Sequence, residues 1–298
     1  MKQAIGVDIG GGSIRVSLFD ETGNEQKSNH TKTPEHLDND SFLALLKETI
    51  RPLTKECMGI GVGSPGPLNN ETGVMLTSAN MVGLKNLPIK SALENEFSLP
   101  VFYENDANCA ALGEAIFGKF KAVESQLILT LGTGIGGGFV QKGVLYSGYL
   151  GNGIEIGHTT SVIGGAMCGC GVLGCVESYF STKGFLNRYL EKTNQTLPHA
   201  EAFFGLVREG DKLAKEILEF GTKALAHAVR NAIHLLNPEA VVFVGGITKS
   251  YDLFGSLLES EIRSTIFSVL NDRLKMGIGG NISGTLGAAS LVFAKEKQ

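Results

Sequence analysis

No stretch of this 298-residue sequence offers the roughly 18 uninterrupted apolar residues a membrane span needs. The best candidate, 224 to 247, is broken by His227, Arg230, Asn231, His234 and Asn237. A secretory leader is not expected either, because the apolar start from Ala4 to Val7 runs at once into Asp8 and a glycine run. No membrane partner is expected, and the cytoplasm is the expected compartment. Positive charge is also lacking. With 26 Lys and Arg against 30 Asp and Glu, the net charge of −4 supplies no broad attraction to phosphate backbones, so no nucleic-acid partner is expected. A disulfide framework is not expected, since the five cysteines are odd in number and Cys168, Cys170 and Cys175 crowd into one short segment.

Glycine, by contrast, is abundant: 40 residues, about twice the usual ~7%. Such an excess serves positive φ or close backbone approach, and it reads as loops that wrap a ligand. Hydrophobic residues at 43% and charged residues at 19% are those of a folding chain with ample core.

Apolar periodicity predicts a strand from Gln3 to Asp8, then Gly10, Gly11 and Gly12, then a second strand in which Ile14, Val16 and Leu18 alternate. Ser125 to Leu131 followed by the run from Gly132 to Gly138 repeats this plan half a chain later, which points to an internal duplication. Between the two lie a capped helix from Asp38 to Arg51, strands at Met58–Gly63 and Val101–Glu104, and a helix from Ala107 to Phe117. Residues 150 to 177 are glycine-rich and irregular. Helical sequence fills most of Lys183 to Leu236, a strand spans Ala240–Val244, and a last helix spans Gly284 to Lys297 with Gly287, Ala288 and Ala289 on its early face. The alternation predicts an α/β fold of two related halves flanking a cleft. The division is expected at Asn108, giving a smaller domain of 1–108 plus 284–298 and a larger one of 109–283.

The most specific motif is Cys168-Gly-Cys170 with Cys175, and His158 lies upstream. Three thiolates and an imidazole are a structural Zn²⁺ donor set, and the glycines between them let a short loop curl around an ion. The glycine runs suggest phosphate, because inward-turned amides form anion concavities. Gly132, Gly134 and Gly137 satisfy a dinucleotide fingerprint, but Phe139 to Gly153 reads as a hairpin and loop and not as the helix that motif must open. The Walker-like stretch from Gly113 to Lys119 ends in Phe120 inside an apparent helix and is rejected too. Asp8 and Asp106 each follow a strand, where α/β ligand sites gather. Asp106 reads either as a general base for a substrate hydroxyl or as the cap of the next helix. Asp8 reads as a Mg²⁺ ligand beside a triphosphate or as a turn stabiliser. Glu155 and Glu177 flank the cysteine cluster, where a metal-braced loop would hold their carboxylates toward sugar hydroxyls.

Taken together, these segments resemble the ROK family of sugar kinases and sugar-responsive repressors, within the actin-like, ribonuclease-H-like ATPase fold. Asp8-Ile-Gly10-Gly11 resembles the family's first phosphate motif, Leu131-Gly132-Thr133-Gly134-Ile-Gly136 and its following glycines the second, and Val244-Gly245-Gly246 the adenosine motif. Gly61 to Gly66 with Asn80 resembles the sugar-loop region, Glu104-Asn105-Asp106 the catalytic segment, and Glu155-Ile-Gly-His158 with Cys168 to Glu177 the zinc-bearing signature. The resemblance implies ATP-dependent, Mg²⁺-assisted phosphorylation of a hexose at its 6-hydroxyl, with glucose as the first expectation, Asp106 as base and a homodimer as the assembly. It further implies that Gly66, Asn80, Asn105, Asp106, Glu155, His158 and Glu177 contact the hexose, with His158 also ligating structural zinc. The final helix is expected to pack back on the N-terminal domain. Three positions depart from the family pattern: Gly12 stands for a threonine, with Ser13 as its substitute, Leu84 for a frequent tryptophan, and Ile154 for a glycine. They bear on sugar choice and nucleotide affinity. The alternatives are an N-acetylmannosamine or N-acetylglucosamine kinase and a non-catalytic sugar sensor; the family's repressors carry an N-terminal helix-turn-helix domain, whereas this sequence reaches Asp8 almost at once.

Overall fold

The computed structural model describes residues 2–34, 38–55, 57–78, 81, 83–280, 282 and 284–295. The chain forms two compact units, one of 1–125, 138–154 and 279–298 and the other of 126–137 and 155–278. Asn108, the division expected from sequence, falls inside a helix grouped with the first unit, and the chain passes to the second only after Ser125.

In chain order the first half contains β1 (Gln3–Ile9), β2 (Ser13–Asp20), β3 (Glu25–Lys32), α1 (Asn39–Ile50), β4 (Ile60–Ser64), β5 (Leu68–Asn69), β6 (Val74–Met75), β7 (Leu87–Pro88), α2 (Ile89–Phe97), β8 (Val101–Asn105) and α3 (Asp106–Phe117). There follow β9 (Ser125–Leu131), β10 (Ile135–Gln141), β11 (Val144–Tyr146), α4 (Thr182–Thr193), α5 (Ala200–Glu209), α6 (Lys212–Leu236), β12 (Ala240–Val244), α7 (Gly255–Thr265), α8 (Ser268–Asn271), β13 (Lys275–Ile278) and α9 (Gly284–Lys295). One sheet runs β3-β2-β1-β4-β8 and the other β11-β10-β9-β12-β13. In each, three consecutive strands are followed by two parallel ones reached through helices, so the expected duplication is present in strand order and not only in the glycine runs. Among the described residues no helix is long and apolar enough to cross a membrane.

The first sheet is covered on both faces, which one-sided alternation in β2 does not foretell. Ile14, Val16 and Leu18 join Ile5, Val7, Phe42, Leu46 and Leu93 in one core, while Ala4 and Phe19 pack with Leu286, Ala289, Val292 and Phe293 of α9 in another. α1 starts where the Asp38 carboxylate accepts the Ser41 amide at 2.8 Å and ends at Arg51-Pro52. The polar strand β3 carries no apolar signal; it forms because β2 offers it a full edge of backbone partners.

Here the glycine excess acquires a second meaning. A Cβ on Gly6 would run into the Thr285 carbonyl, and one on Gly61 into the Ala288 carbonyl, so these strand glycines let α9 lie directly on β1 and β4. The reading of the glycines as ligand-wrapping loops is thus corrected for these positions, where close helix packing is their use.

Candidate active site and metal centre

The first unit presents the turn between β1 and β2. Its carbonyls are tied down: Ser13 accepts from the Gly10 amide at 2.9 Å, while Thr33 donates its amide to Gly12 (3.2 Å) and its hydroxyl to Gly10 (3.1 Å). Gly11 and Gly12 are exposed, and a Cβ on Gly12 would meet nothing within 4 Å, so this side of the turn is open to a ligand. Ser13 is the half-buried first residue of β2. Asp8 closes β1 beside the first residue of α9, where a Cβ on Gly284 would stand 2.6 Å from its Oδ2. Burial raises the Asp8 carboxyl above its usual range, and Arg15, its cross-strand partner, partly offsets this.

At the end of β8 the structure separates two roles that the sequence left open. Asn105 is the N-cap of α3, its side-chain oxygen accepting the Ala107 amide at 2.9 Å and the Asn108 amide at 3.3 Å. Asp106 is the first helical residue and exposed; its Oδ1 accepts the same Ala107 amide at 2.8 Å, so capping does not depend on it. Gly66 lies nearby, since a Cβ there would stand 3.8 Å from Asn105 Nδ2 and 3.6 Å from Asn152 Oδ1. Asn152 clamps the loop by accepting the Leu68 amide (3.1 Å) and donating to the Leu68 carbonyl (2.8 Å). Asn80 lies outside the described residues.

Sequence reasoning gives Glu104 no role of its own. The structure makes it the hub of this segment: buried, it accepts from the Asn105 amide (2.9 Å) and Asn108 Nδ2 (3.0 Å) on one oxygen, and from Asn70 Nδ2 (2.9 Å) and Ser147 Oγ (2.6 Å) on the other. Two of those partners are remote in sequence, which is why no local pattern announces them. Burial raises the Cys109 thiol well above its usual range, and the charges of Glu104, Asp106 and Asp8 push in the same direction, so three carboxylates act on one buried spot. Leu84 departs from expectation: it is 3% exposed within the apolar core, and its side chain has little surface to offer a sugar ring.

The second unit holds the other glycine turn. Gly132 donates to the Gly134 carbonyl at 3.0 Å, Gly136 to Thr130 Oγ1 at 3.1 Å, and the carbonyls of Gly132 and Thr133 receive the amides of Thr182 and Lys183 at the start of α4. Glu177, expected at the hexose, braces this turn. Its Oε2 accepts the Ile135 amide at 2.9 Å and lies against Gly134. Gly245, at φ 100°, backs onto the Leu131 carbonyl, so the adenosine-motif glycines adjoin the strand that feeds the turn; Gly246 is exposed. Glu155 precedes a single turn ending at His158. Desolvation raises its carboxyl, the His158 ring opposing the shift and the Glu177 charge adding to it. Ile154 sits at φ 57°, a left-handed conformation in which a β-branched residue is strained and for which a glycine at that position would be free.

Ligand atoms of His158, Cys168, Cys170 and Cys175 all lie within 4.8 Å of one another. The Cys168 Sγ to His158 Nδ1 and Cys170 Sγ to Cys175 Sγ separations are both 3.7 Å. An ion bound at ~2.3 Å to sulfur in a tetrahedron spaces its ligands by just such distances. Gly171 and Gly174 supply the positive φ that the loop requires, and Cys168 Sγ stands 4.0 Å from Glu177 Oε1, so the cysteine loop and the glycine turn share a neighbour.

The expected residues therefore fall into two sets: Asp8, Gly10 to Ser13, Gly66, Asn105 and Asp106 in the first unit, and Gly132 to Gly136, Glu155, His158, the cysteines, Glu177, Gly245 and Gly246 in the second. A profile of the ROK family matches residues 4–295. The chain is 36% identical over 274 residues to a glucokinase of Thermotoga maritima, covering 87% of this chain and 86% of that one. It is 31% identical to an N-acetyl-D-glucosamine kinase of Pasteurella multocida, covering 97% and 99%. Among solved structures, a ROK family glucokinase from Streptomyces griseus in complex with glucose and AMPPNP superposes with a TM-score of 0.82 at 26% identity, covering 97% of this chain and 98% of that one. The family match extends over nearly the whole sequence, and the chain belongs to the ROK family.

Proposed function

We propose that this protein transfers the γ-phosphoryl group of ATP to the 6-hydroxyl of a hexose, with glucose as the preferred substrate. The observation that carries this reading is the exposed Asp106 at the first turn of α3, whose capping duty is already met by Asn105. Asp106 accepts the hydroxyl proton as that oxygen attacks the γ-phosphorus and ADP leaves with the bridging oxygen. Amides of the turns at Gly10 to Ser13 and Gly132 to Gly136 hold the phosphates, and Gly245 and Gly246 approach the nucleoside. Gly66, Asn80, Asn105, Glu155, His158 and Glu177 hold the sugar hydroxyls. Asp8, an oxygen donor suited to a hard cation, would hold Mg²⁺, which supplies charge neutralisation to the phosphates. His158, Cys168, Cys170 and Cys175 would hold Zn²⁺, a soft-donor set that fixes the loop flanked by Glu155 and Glu177. The assembly is a homodimer.

The test is ADP release across glucose, mannose, fructose, allose, N-acetylglucosamine and N-acetylmannosamine, for the parent and for Asp106→Asn. Glucose should give the highest kcat/KM, and the variant should lose on the order of 10²-fold or more in kcat with glucose affinity and Tm nearly unchanged. Turnover within a few-fold of the parent would show that Asp106 is not the base. An N-acetylhexosamine kinase is the second reading, favoured by the Pasteurella multocida relative, and a higher kcat/KM on either acetylated sugar would establish it.

A further inference from the structure

A cavity of about 440 Å³ in the second unit is lined by Thr160, Ser161, His227, Arg230, Asn231 and Thr265. None of these belongs to a glycine turn, to the sugar-contacting residues or to the metal ligands. Every one has a polar side chain and none is a carboxylate. His227, Arg230 and Asn231 follow i, i+3, i+4 spacing and so share one face of α6. Arg230 donates from Nε to the Thr265 carbonyl at 2.9 Å and from Nη1 to Asn231 Oδ1 at 3.3 Å, both neutral acceptors, and among the described residues it makes no ion pair. Ser161 Oγ is buried and has no hydrogen-bond partner among the described residues. A cation held in place by neutral oxygens, beside an unsatisfied hydroxyl, is a binding surface for an anion with hydrogen-bonding oxygens.

We propose that this cavity binds a small phosphate monoester. Arg230 and His227 face the phosphate, Ser161 donates its hydroxyl to a phosphate oxygen, and Thr160, Thr265 and Asn231 serve the hydroxyls of the esterified alcohol. The volume lies within the range of small-molecule sites and exceeds what a bare phosphate fills. An occupant would also connect α6 to the metal-ligand loop, because Thr160 bridges Cys175 and Ser161 donates its amide to the Gly174 carbonyl at 2.9 Å.

The proposal stands apart from the kinase reading, and its test needs no turnover. Titration calorimetry of the metal-replete full chain, in phosphate-free buffer with saturating glucose and ADP, compares glycerol 3-phosphate, inorganic phosphate and glycerol. Glycerol 3-phosphate should bind one per chain, more tightly than inorganic phosphate, with glycerol silent. Arg230→Gln should weaken it about tenfold or more, the scale of a charge-assisted hydrogen bond, and Ser161→Ala several-fold with Tm unchanged. Absence of saturable binding overturns the proposal, as does parental affinity in Ser161→Ala together with Arg230→Gln. Equal affinity for inorganic phosphate overturns the monoester assignment in favour of the free ion.

Discussion

The two glycine turns occupy the same place in two sheets of the same strand order, yet they are braced by different means. In the first unit the turn between β1 and β2 is held by backbone and hydroxyl bonds from Thr33 and backed by α9, whose close seat depends on Gly6 and Gly61. In the second, the turn between β9 and β10 receives the Thr182 and Lys183 amides of α4 on its carbonyls and gives its Ile135 amide to the Glu177 carboxylate, which also neighbours Cys168. A duplicated topology thus sets where a glycine turn sits, while its bracing comes from neighbours that differ between the two halves. The first turn is braced by Thr33 and α9, the second by the start of α4 and the Glu177 carboxylate.

Four substitutions break or sharpen that contrast. Glu177→Ala removes the brace of the second turn and should lower kcat/KM on the order of 10²-fold, the scale of losing one preorganised donor set in phosphoryl transfer; steady-state ADP release reads it, and parental values would show that the turn stands without its carboxylate. Cys170→Ser should strip metal from the cluster and raise sugar KM roughly 10-fold, with a smaller effect on Tm because the apolar cores lie elsewhere. Elemental analysis finding no zinc in the native protein would remove the basis of that expectation. Gly61→Ala presses a methyl group into the Ala288 carbonyl and should cost about 2 kcal/mol by chemical denaturation, leaving metal content untouched.

Asp8→Asn carries the smallest effect and a definite sign. Because burial raises the folded-state value of Asp8 above 3.8, the native state holds its proton more tightly than the unfolded chain does, and the parent loses stability as pH rises from 3.8 through that raised value. The asparagine variant escapes this loss, so in Mg²⁺-free and nucleotide-free buffer its Tm should exceed the parent's at neutral pH, with the gain shrinking below pH 3.8. A Tm difference that does not vary with pH would show that the Asp8 charge is not destabilised by its setting.

Legibility in the sequence differs residue by residue. The hairpins at Asp8 and Leu131 can be read because apolar runs stop at glycines, and the cysteine cluster because its ligands lie close in sequence, so local chain geometry already confines them. The strand β3 cannot be read, since its polar residues are held by the edge of β2 and not by burial. Nor can the work of Glu104, whose partners Asn70 and Ser147 come from distant segments, or that of Glu177, whose carboxylate turns to the Ile135 amide. Leu84 reads as a pocket residue and is a core residue, because position next to a sugar loop does not say which way a side chain faces.

By itself the sequence determined the duplicated α/β plan, the two glycine turns, the three neighbouring cysteines and the acidic residue after β8, all properties carried by periodicity, glycine placement and short spacing. Only the tertiary structure decided that Asn105 and not Asp106 serves as the cap, that α9 rests on Gly6 and Gly61, and that one carboxylate braces the second turn. Those outcomes depend on contacts between residues far apart in the chain, where the free energy of burying a helix or satisfying a carboxylate is settled by whatever the fold brings alongside.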